Sequence, residues 1–175
     1  MRRSVVIGVL AVHLIPVQAT APPESPAYVG AETCGRCHTA AFTSWAGGDH
    51  SRAALVFGMR AGREMMARAG TAGFQLSCRA CHAPPDTVAP ISPDGSFRSE
   101  DGVQCETCHG PGSLHVQLRT APESDSTRSG LVPVRADTAF CLSCHRAGKP
   151  LHDATALRTP RFDKSLFWKR IQHRR

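Results

Sequence analysis

The sequence predicts a mostly α-helical chain with extensive irregular loops and little or no β-sheet. Fifteen glycines and 13 prolines occur among 175 residues, and they interrupt regular elements at short intervals. The alternation of apolar and polar residues that is typical of strands is nearly absent, whereas short stretches carry helical periodicity. Aromatic residues make up only 6% of the chain, which is too few for a conventional close-packed core.

The helical stretches are short and are separated by loop signals. We expect helices over residues 31–45, 51–69, 113–118, 138–146 and 161–173. Gly47-Gly48 separates the first stretch from the second. Prolines and Asp94-Gly95 predict a loop over 83–101, and a segment rich in Ser, Thr and Pro predicts another over 120–137.

The N-terminus is typical of a secretory signal. Two arginines precede an apolar run over 5–17, and Ala19-Thr20-Ala21 follows it. We expect Sec-type cleavage after Ala21, a flexible leader over 22–28 and one domain over 29–175. The apolar run is short for a membrane span, so the mature form is expected to have none. An uncleaved anchor is the alternative, and the predicted location is periplasmic or otherwise exported.

All eight cysteines form pairs with two residues between them, and a histidine follows each pair. The four motifs are Cys34, Cys37 and His38; Cys78, Cys81 and His82; Cys105, Cys108 and His109; and Cys141, Cys144 and His145. This spacing is the attachment signature of c-type haem. Two thiols on one turn reach the two vinyl groups of a porphyrin, and the histidine ligates the iron as its proximal ligand. The sequence therefore predicts a chain wrapped round four covalently bound haem c groups.

Three other uses of paired cysteines compete with haem attachment. Four disulfides would suit a small exported domain, paired Cys-x-x-Cys sets could hold structural zinc, and redox-active dithiols share the same spacing. None of these uses requires a histidine at the same offset after every pair. The fourfold recurrence of the histidine therefore favours haem.

Four histidines remain outside the signal and the motifs, one for each predicted iron. They are His50, His115, His152 and His173. This number permits two histidine ligands at every iron, although each residue could instead be a solvated surface histidine. His50 begins a helical stretch near Trp45, as an axial ligand would. His115 follows His109 by only six residues, so donation to a neighbouring haem is favoured over donation to its own.

The last two histidines have weaker support from their surroundings. His173 closes the last helical stretch just before the chain end, where a solvated tail residue is the alternative. His152 lies in a loop that contains proline. Met59, Met65 and Met66 are rival ligands by chemistry, but their place on one helical stretch favours packing.

Three stretches resemble the tetrahaem cytochrome c-554 family. They are 28–50, which includes Trp45; 102–115, where a histidine follows Gly-Pro-Gly; and the ending 162–173. The resemblance implies a periplasmic electron carrier with closely stacked haem pairs. It also implies that His50, His115 and His173 are distal ligands and that the iron held by His82 lacks a side-chain distal ligand. His152 is the residue that could fill that open position.

The basic charge initially suggests nucleic acid or an acidic membrane surface as a partner. The formal net charge is +7 and the pI is near 9.3. Signal removal takes away Arg2 and Arg3, and each ferric haem adds about −1 by charge counting. The cofactors therefore offset most of the charge, and nucleic acid is not expected as a partner. A basic patch at Lys169, Arg170, Arg174 and Arg175 remains to steer an acidic redox partner.

The favoured function is electron transfer between a donor and an acceptor redox protein. No Ser-His-Asp arrangement, phosphate loop or paired-carboxylate site stands out in the sequence, so an enzyme is the less favoured class. The enzymatic alternative is an oxidoreductase that reduces nitric oxide, nitrite or hydroxylamine at a five-coordinate haem. A haem subunit of a larger respiratory complex is a third class.

The haem count is directly testable on the exported protein. We expect its mass to exceed that of the mature polypeptide by four haem groups, because each of the four motifs attaches one covalently. Pyridine haemochrome analysis should agree, and a variant carrying Cys78→Ser and Cys81→Ser should lose one haem. Fewer than four haems on the unmodified chain would contradict the count.

Overall fold

The computed structural model describes residues 25–85, 90–94, 96–121, 137–145 and 163–171. The expected signal at 1–21, most of the expected loop at 120–137, His152 and His173 lie outside these ranges. The described part is mostly helical and contains no strand, so the predicted fold class is confirmed. The β-type pairing within these ranges is a parallel bridge between Tyr28 and Ile91.

The helices are short and mostly follow the haem motifs. In the described ranges the α-helices are α1 Ala31–Gly35, α2 Thr39–Ala46, α3 Arg60–Gly73, α4 Ala80–His82, α5 Cys105–His109, α6 Ser113–Thr120, α7 Thr138–Cys144 and α8 Lys164–Ile171. Two 3₁₀ helices cover His50–Gly58 and Ser99–Asp101, and a π-helical turn covers Phe74–Arg79.

The helix expected over 31–45 is interrupted at the first motif. It divides into α1 and α2, and His38 leaves helical geometry with φ −105° and ψ 52°. The amide of His38 still donates to the Cys34 carbonyl at 2.9 Å, and the Phe42 amide donates to the His38 carbonyl at 2.9 Å. The histidine therefore lies at a bend between two helices.

The helix expected over 51–69 also divides into two. A 3₁₀ helix ends at Gly58, Met59 is extended with ψ 152°, and α3 then runs to Gly73. Glycine is a poor helix former, and its position at Gly58 marks the break. The π-helical turn and α4 continue directly from α3, so the second motif lies at the end of a long, irregular helical stretch.

Two of the four motif helices had no counterpart in the sequence-based elements. The second motif lies on the π-helical turn and α4, and α5 carries the third motif. A helix as short as α5 spans little more than one turn, which is too short for apolar periodicity to reveal. By contrast, Asp137 begins α7 as the cap expected from its residue type, with its carboxylate accepting from the Phe140 amide at 2.8 Å.

The leader expected over 22–28 is anchored at its C-terminal end. Ala27 and Ser113 exchange two hydrogen bonds, one at 2.8 Å to the serine hydroxyl and one at 3.1 Å between backbone groups. Tyr28 bonds the backbone of Pro90 and Ser92, each at 2.8 Å. Long-range partners therefore satisfy backbone groups of residues 27 and 28.

The apolar core of the described part is small. Its buried apolar residues are Tyr28, Val29, Ala31, Ala54, Met65, Ala83 and Phe97. Three of these are alanines, and several large apolar side chains elsewhere are exposed, among them Leu55 and Met59 at 55% and 56%. The described residues therefore bury little apolar surface, which is consistent with the haem groups that the motifs predict.

Within the described ranges we find no helix with the length and apolar character that crossing a membrane requires.

Gly102 permits a close approach of its own backbone to the backbone of the 3₁₀ helix that begins at His50. Its φ of 70° and ψ of −133° lie where L-residues are strained, and a Cβ there would collide with the backbone of His50 and Ala53. Gly70 has a similar φ of 67°, but a Cβ there would meet nothing within 4 Å.

We therefore expect Gly70→Ala to lower the free energy of unfolding by about 1–3 kcal/mol through backbone strain alone. Gly102→Ala should lower it by about 1–3 kcal/mol more, because the backbone of His50 must also move. Denaturant unfolding of the two holoproteins, followed by circular dichroism, measures the difference. Equal destabilisation would show that the close approach at Gly102 is unimportant.

Candidate haem-binding sites

The eight cysteines are present as free thiols, and each pair lies on or directly after a short helical segment. Seven are half-buried and Cys37 is exposed. The pairs thus do not form the four disulfides considered as an alternative. Among the described residues no group of three or more His, Cys, Asp and Glu side chains converges on a common metal position, which is not the arrangement of a zinc site built from four cysteines.

Burial raises the pKa of two of the thiols. Burial, followed by the charges of Cys141, Cys105 and Cys144, raises the pKa of Cys108 to about 11. Burial also raises the pKa of Cys78. These two thiols are poor nucleophiles at neutral pH, unlike the low-pKa cysteines of redox-active dithiols.

The structure places His115 opposite the proximal histidine of the first motif. The ring centres of His38 and His115 are 6.1 Å apart, and the ring planes differ by 23°. An imidazole nitrogen lies about 2 Å from a metal that it ligates and about 1 Å from its own ring centre, so two rings that share one metal have centres about 6 Å apart. The gap between His38 and His115 therefore fits one iron.

A second pair joins His50 to the proximal histidine of the fourth motif. The ring centres of His50 and His145 are 5.9 Å apart, with planes 34° apart. Burial and the charge of His145 lower the pKa of His50, and burial lowers the pKa of His145. Neutral imidazole is the form that ligates a metal, so this environment favours ligation.

Backbone contacts of the preceding loop hold His50 in place. Its carbonyl accepts from the Val103 amide at 2.9 Å, and the Val103 carbonyl accepts from the Trp45 indole at 2.8 Å. Gly102 lets these two segments approach. The sequence drew attention to Trp45 beside His50, but their shared partner Val103 became visible only in the folded chain.

His82 has a defined tautomer and an aromatic neighbour. Its Nδ1 donates to the Ala53 carbonyl at 3.0 Å, which leaves Nε2 for the iron. The centres of the Phe57 and His82 rings are 5.9 Å apart, and the Phe57 ring packs edge-on against the imidazole. A hydrogen bond of this kind orients a ligating imidazole and increases its basicity.

His109 ends α5, and it completes the four proximal positions. His173 and His152 lie outside the described residues, so their roles stay predictions. The pairings seen in the structure involve His50 and His115 among the four histidines expected as second ligands.

The motifs are neighbours in space in an order that differs from their order in the chain. The Cys34 thiol donates to Cys105, which raises the pKa of Cys34 and lowers that of Cys105, and so joins the first motif to the third. The third motif contacts the fourth electrostatically through Cys108 and Cys141. The Cys144 thiol lies 4.0 Å from the Ala80 carbonyl, and it joins the fourth motif to the second.

The carboxylate of Glu106, between the two cysteines of the third motif, is buried at 3% exposure. It accepts from the amides of Val29 at 2.9 and 3.1 Å, Gly30 at 2.8 Å and Gly112 at 2.7 Å. Burial raises the pKa of Glu106, while the three amides act in the opposite direction. The sequence analysis missed this residue, since the sequence carries no signal for its partners.

Gln104 adds to the hydrogen-bonded contact between residues 29–31 and residues 96–112, which we call the junction. It is 2% exposed, its Oε1 accepts from the Ala31 amide at 2.8 Å, and its Nε2 donates to the Arg98 carbonyl at 2.7 Å. The Ser96 hydroxyl donates to the Val29 carbonyl at 2.6 Å. Side chains from 96–106 therefore satisfy the backbone of residues 29–31.

These observations fit haem better than any other occupant considered. Paired thiols lie on single turns, two histidine pairs leave gaps that suit one iron each, and the apolar core is small. The residues that would hold the haems are the eight cysteines and, at two of the irons, the histidine pairs.

Comparison with known proteins agrees with this chemistry. Residues 33–110 match the family described as cytochrome c554 and c-prime. The match includes the first three motifs, Glu106 and His50, and it ends before the fourth motif and His115. No curated protein and no solved structure matches the chain. The match over residues 33–110 is similarity to a family of c-type cytochromes, and it supports a protein that binds haem c covalently and transfers electrons.

Proposed function

We propose that this chain is a periplasmic electron carrier with four haem c groups that passes electrons between two redox proteins. The observation that carries the proposal is the pairing of His38 with His115 and of His50 with His145 across gaps of 6.1 and 5.9 Å. In each pair one histidine belongs to a motif and the other comes from a distant segment. Two histidine ligands leave no open position for a substrate at that iron.

Haem c supplies reversible one-electron transfer when bound, and the chain sets the positions and environments of the irons. The contacts between motifs support the spatial order first, third, fourth, second. Each motif would hold its porphyrin through its own cysteines, so neighbouring motifs would hold their porphyrins close to one another. An electron can therefore traverse the protein through neighbouring sites without a long gap.

Groups of the protein affect the ligand properties of His82, His50 and His145. The Ala53 carbonyl increases the basicity of His82 through its hydrogen bond. Burial of His50 and His145 favours the neutral, ligating form of both rings. Tuning of this kind adjusts the reduction potential of the adjacent iron.

The location and the partners belong to the same proposal. The N-terminal pattern at 1–21 supports export, and the basic residues near the C-terminus, which include the exposed Lys169, support an acidic redox partner. His173 and His152 are proposed to supply the remaining distal ligands.

A redox titration combined with turnover assays tests the proposal. We expect four haems per chain to be reduced reversibly, with no steady-state consumption of nitric oxide, nitrite or hydroxylamine by the reduced protein. Sustained turnover of one of these compounds would contradict the carrier function and support the enzymatic alternative.

His50→Ala tests the second histidine pair. The variant should keep four haems while one iron becomes five-coordinate, because His145 alone remains as its axial ligand. The ferric protein should gain a high-spin electron paramagnetic resonance signal equal to one haem, and the reduced protein should bind carbon monoxide at that haem.

Arg52→Ala is the matched control for this variant. Arg52 lies on the same 3₁₀ helix, and its exposed side chain forms an ion pair with Asp49 at 3.3 Å. The control should remain spectroscopically unchanged. If His50→Ala is also unchanged, His50 is a surface residue and the pairing with His145 is wrong.

A further inference from the structure

We propose that Glu106 is a positioning residue that holds His38 and His115, the two ligands of the first iron, on opposite sides of the metal. The inference rests on the proposed function, in which these two histidines share one iron. Glu106 belongs to the third motif and touches neither histidine ring in the contacts described above. It acts through the backbone on which both histidines are carried.

Oxygen Oε2 of Glu106 holds the backbone segment that leads to His38. Oε2 accepts from the amides of Val29 and Gly30, at 3.1 and 2.8 Å. Helix α1 begins at the next residue, Ala31, whose amide is held by Gln104. The first motif begins within this helix at Cys34 and continues directly after it to His38, so its position depends on where residues 29–31 are anchored.

Oxygen Oε1 of Glu106 holds the backbone segment that leads to His115. Oε1 accepts from the Gly112 amide at 2.7 Å and also from the Val29 amide at 2.9 Å. Helix α6 begins at Ser113, so His115 lies in its first turn. A shift of Gly112 is therefore passed to His115 within three residues, through a rigid helical turn.

The two oxygens thus join two segments that are 77 and 6 residues from Glu106 in sequence. An amide group could not do the same, because one of its two terminal atoms is a donor and would face a backbone donor. At 3% exposure, water is not available to replace the lost partner. The negative charge also strengthens each of these hydrogen bonds.

Glu106→Gln replaces one accepting oxygen by a donating amide group. One of the two backbone segments should therefore lose its hydrogen bonds to residue 106. His115 then dissociates from the first iron more readily, because its helix is no longer tied to the segment that carries His38. We expect the equilibrium constant for its dissociation to rise by about tenfold or more, the effect of losing one charge-assisted hydrogen bond in a buried site.

The experiment compares Glu106→Gln with two reference variants of the full holoprotein. Glu32→Gln is the matched control, because Glu32 lies in the first turn of α1, two residues from Cys34, with a side chain 65% exposed. It removes one carboxylate charge next to the first motif and leaves every hydrogen bond of Glu106 in place; the contact that it weakens is an exposed ion pair with Arg98 at 4.0 Å. His115→Ala gives the spectrum of a first iron that has lost its second ligand.

Haem content, the ferric high-spin signal and carbon monoxide binding by the reduced protein are the readouts. We expect Glu106→Gln to gain part of the high-spin signal of His115→Ala, with four haems retained, while Glu32→Gln stays low-spin. The proposal is overturned if Glu106→Gln matches the unmodified protein while His115→Ala does not. It is also overturned if Glu32→Gln changes as much, since charge alone would then explain the effect.

An unchanged spectrum for His115→Ala has a different meaning. It would show that His115 does not ligate iron, which contradicts the pairing in the proposed function and with it the premise of this inference. The two failures are therefore distinguished by one reference variant.

Gly112→Ala replaces Glu106→Gln if the latter yields no holoprotein. A Cβ at this position would lie 3.1 Å from Oε1 of Glu106 and 3.3 Å from the Val29 side chain, so it displaces the carboxylate without removing it. A partial high-spin signal supports the positioning role. A fully low-spin spectrum with four haems would refute it.

Discussion

The buried carboxylate of Glu106 is the interaction on which the arrangement of the described chain depends. Three amides from two distant segments converge on it in an environment almost closed to water. Burial of a charge is unfavourable unless hydrogen bonds compensate for it, and here they do so at short distances. Because the same group satisfies amides that would otherwise be buried without partners, neither the carboxylate nor the two segments can move independently.

Such polar connections matter more here than in an ordinary small domain. The buried apolar residues of the described part are few, and three of them are alanines. Apolar packing is non-directional and would in any case not specify how residues 27–31 meet residues 90–113. Hydrogen bonds from Gln104, Ser96 and Ser113 do specify it, because each joins one donor to one acceptor. In the proposed function the haems would add to this small interior, and the hydrogen bonds determine how the described segments are arranged around it.

The order of the sites in space follows from these junctions. Contacts run from the first motif to the third, from the third to the fourth and from the fourth to the second. The two histidine pairs also connect different motifs. His115 follows the third motif in the chain but lies next to His38 of the first. His50 follows the first motif but lies next to His145 of the fourth. If each pair shares one iron, as proposed, a histidine that follows one motif would hold the site of another motif next to it.

Local sequence was sufficient for features that depend on local chemistry. The Cys-x-x-Cys-His spacing predicts haem attachment because two thiols and a histidine act within one turn. The residue types at Asp137 and Thr138 likewise locate the start of α7. The scarcity of strand patterns was enough to predict the mostly helical fold class.

Features that depend on contacts between distant residues were decided only by the folded chain. The bend at His38 and the division of the 51–69 stretch escaped prediction, since helical periodicity does not report where a turn must open for a ligand. The pairing of His38 with His115 joins residues that no local pattern connects. Glu106 reads in the sequence as one of two variable residues within a motif. Its role depends on the amides of Val29 and Gly112, which donate to the same carboxylate, and only tertiary structure brings them together.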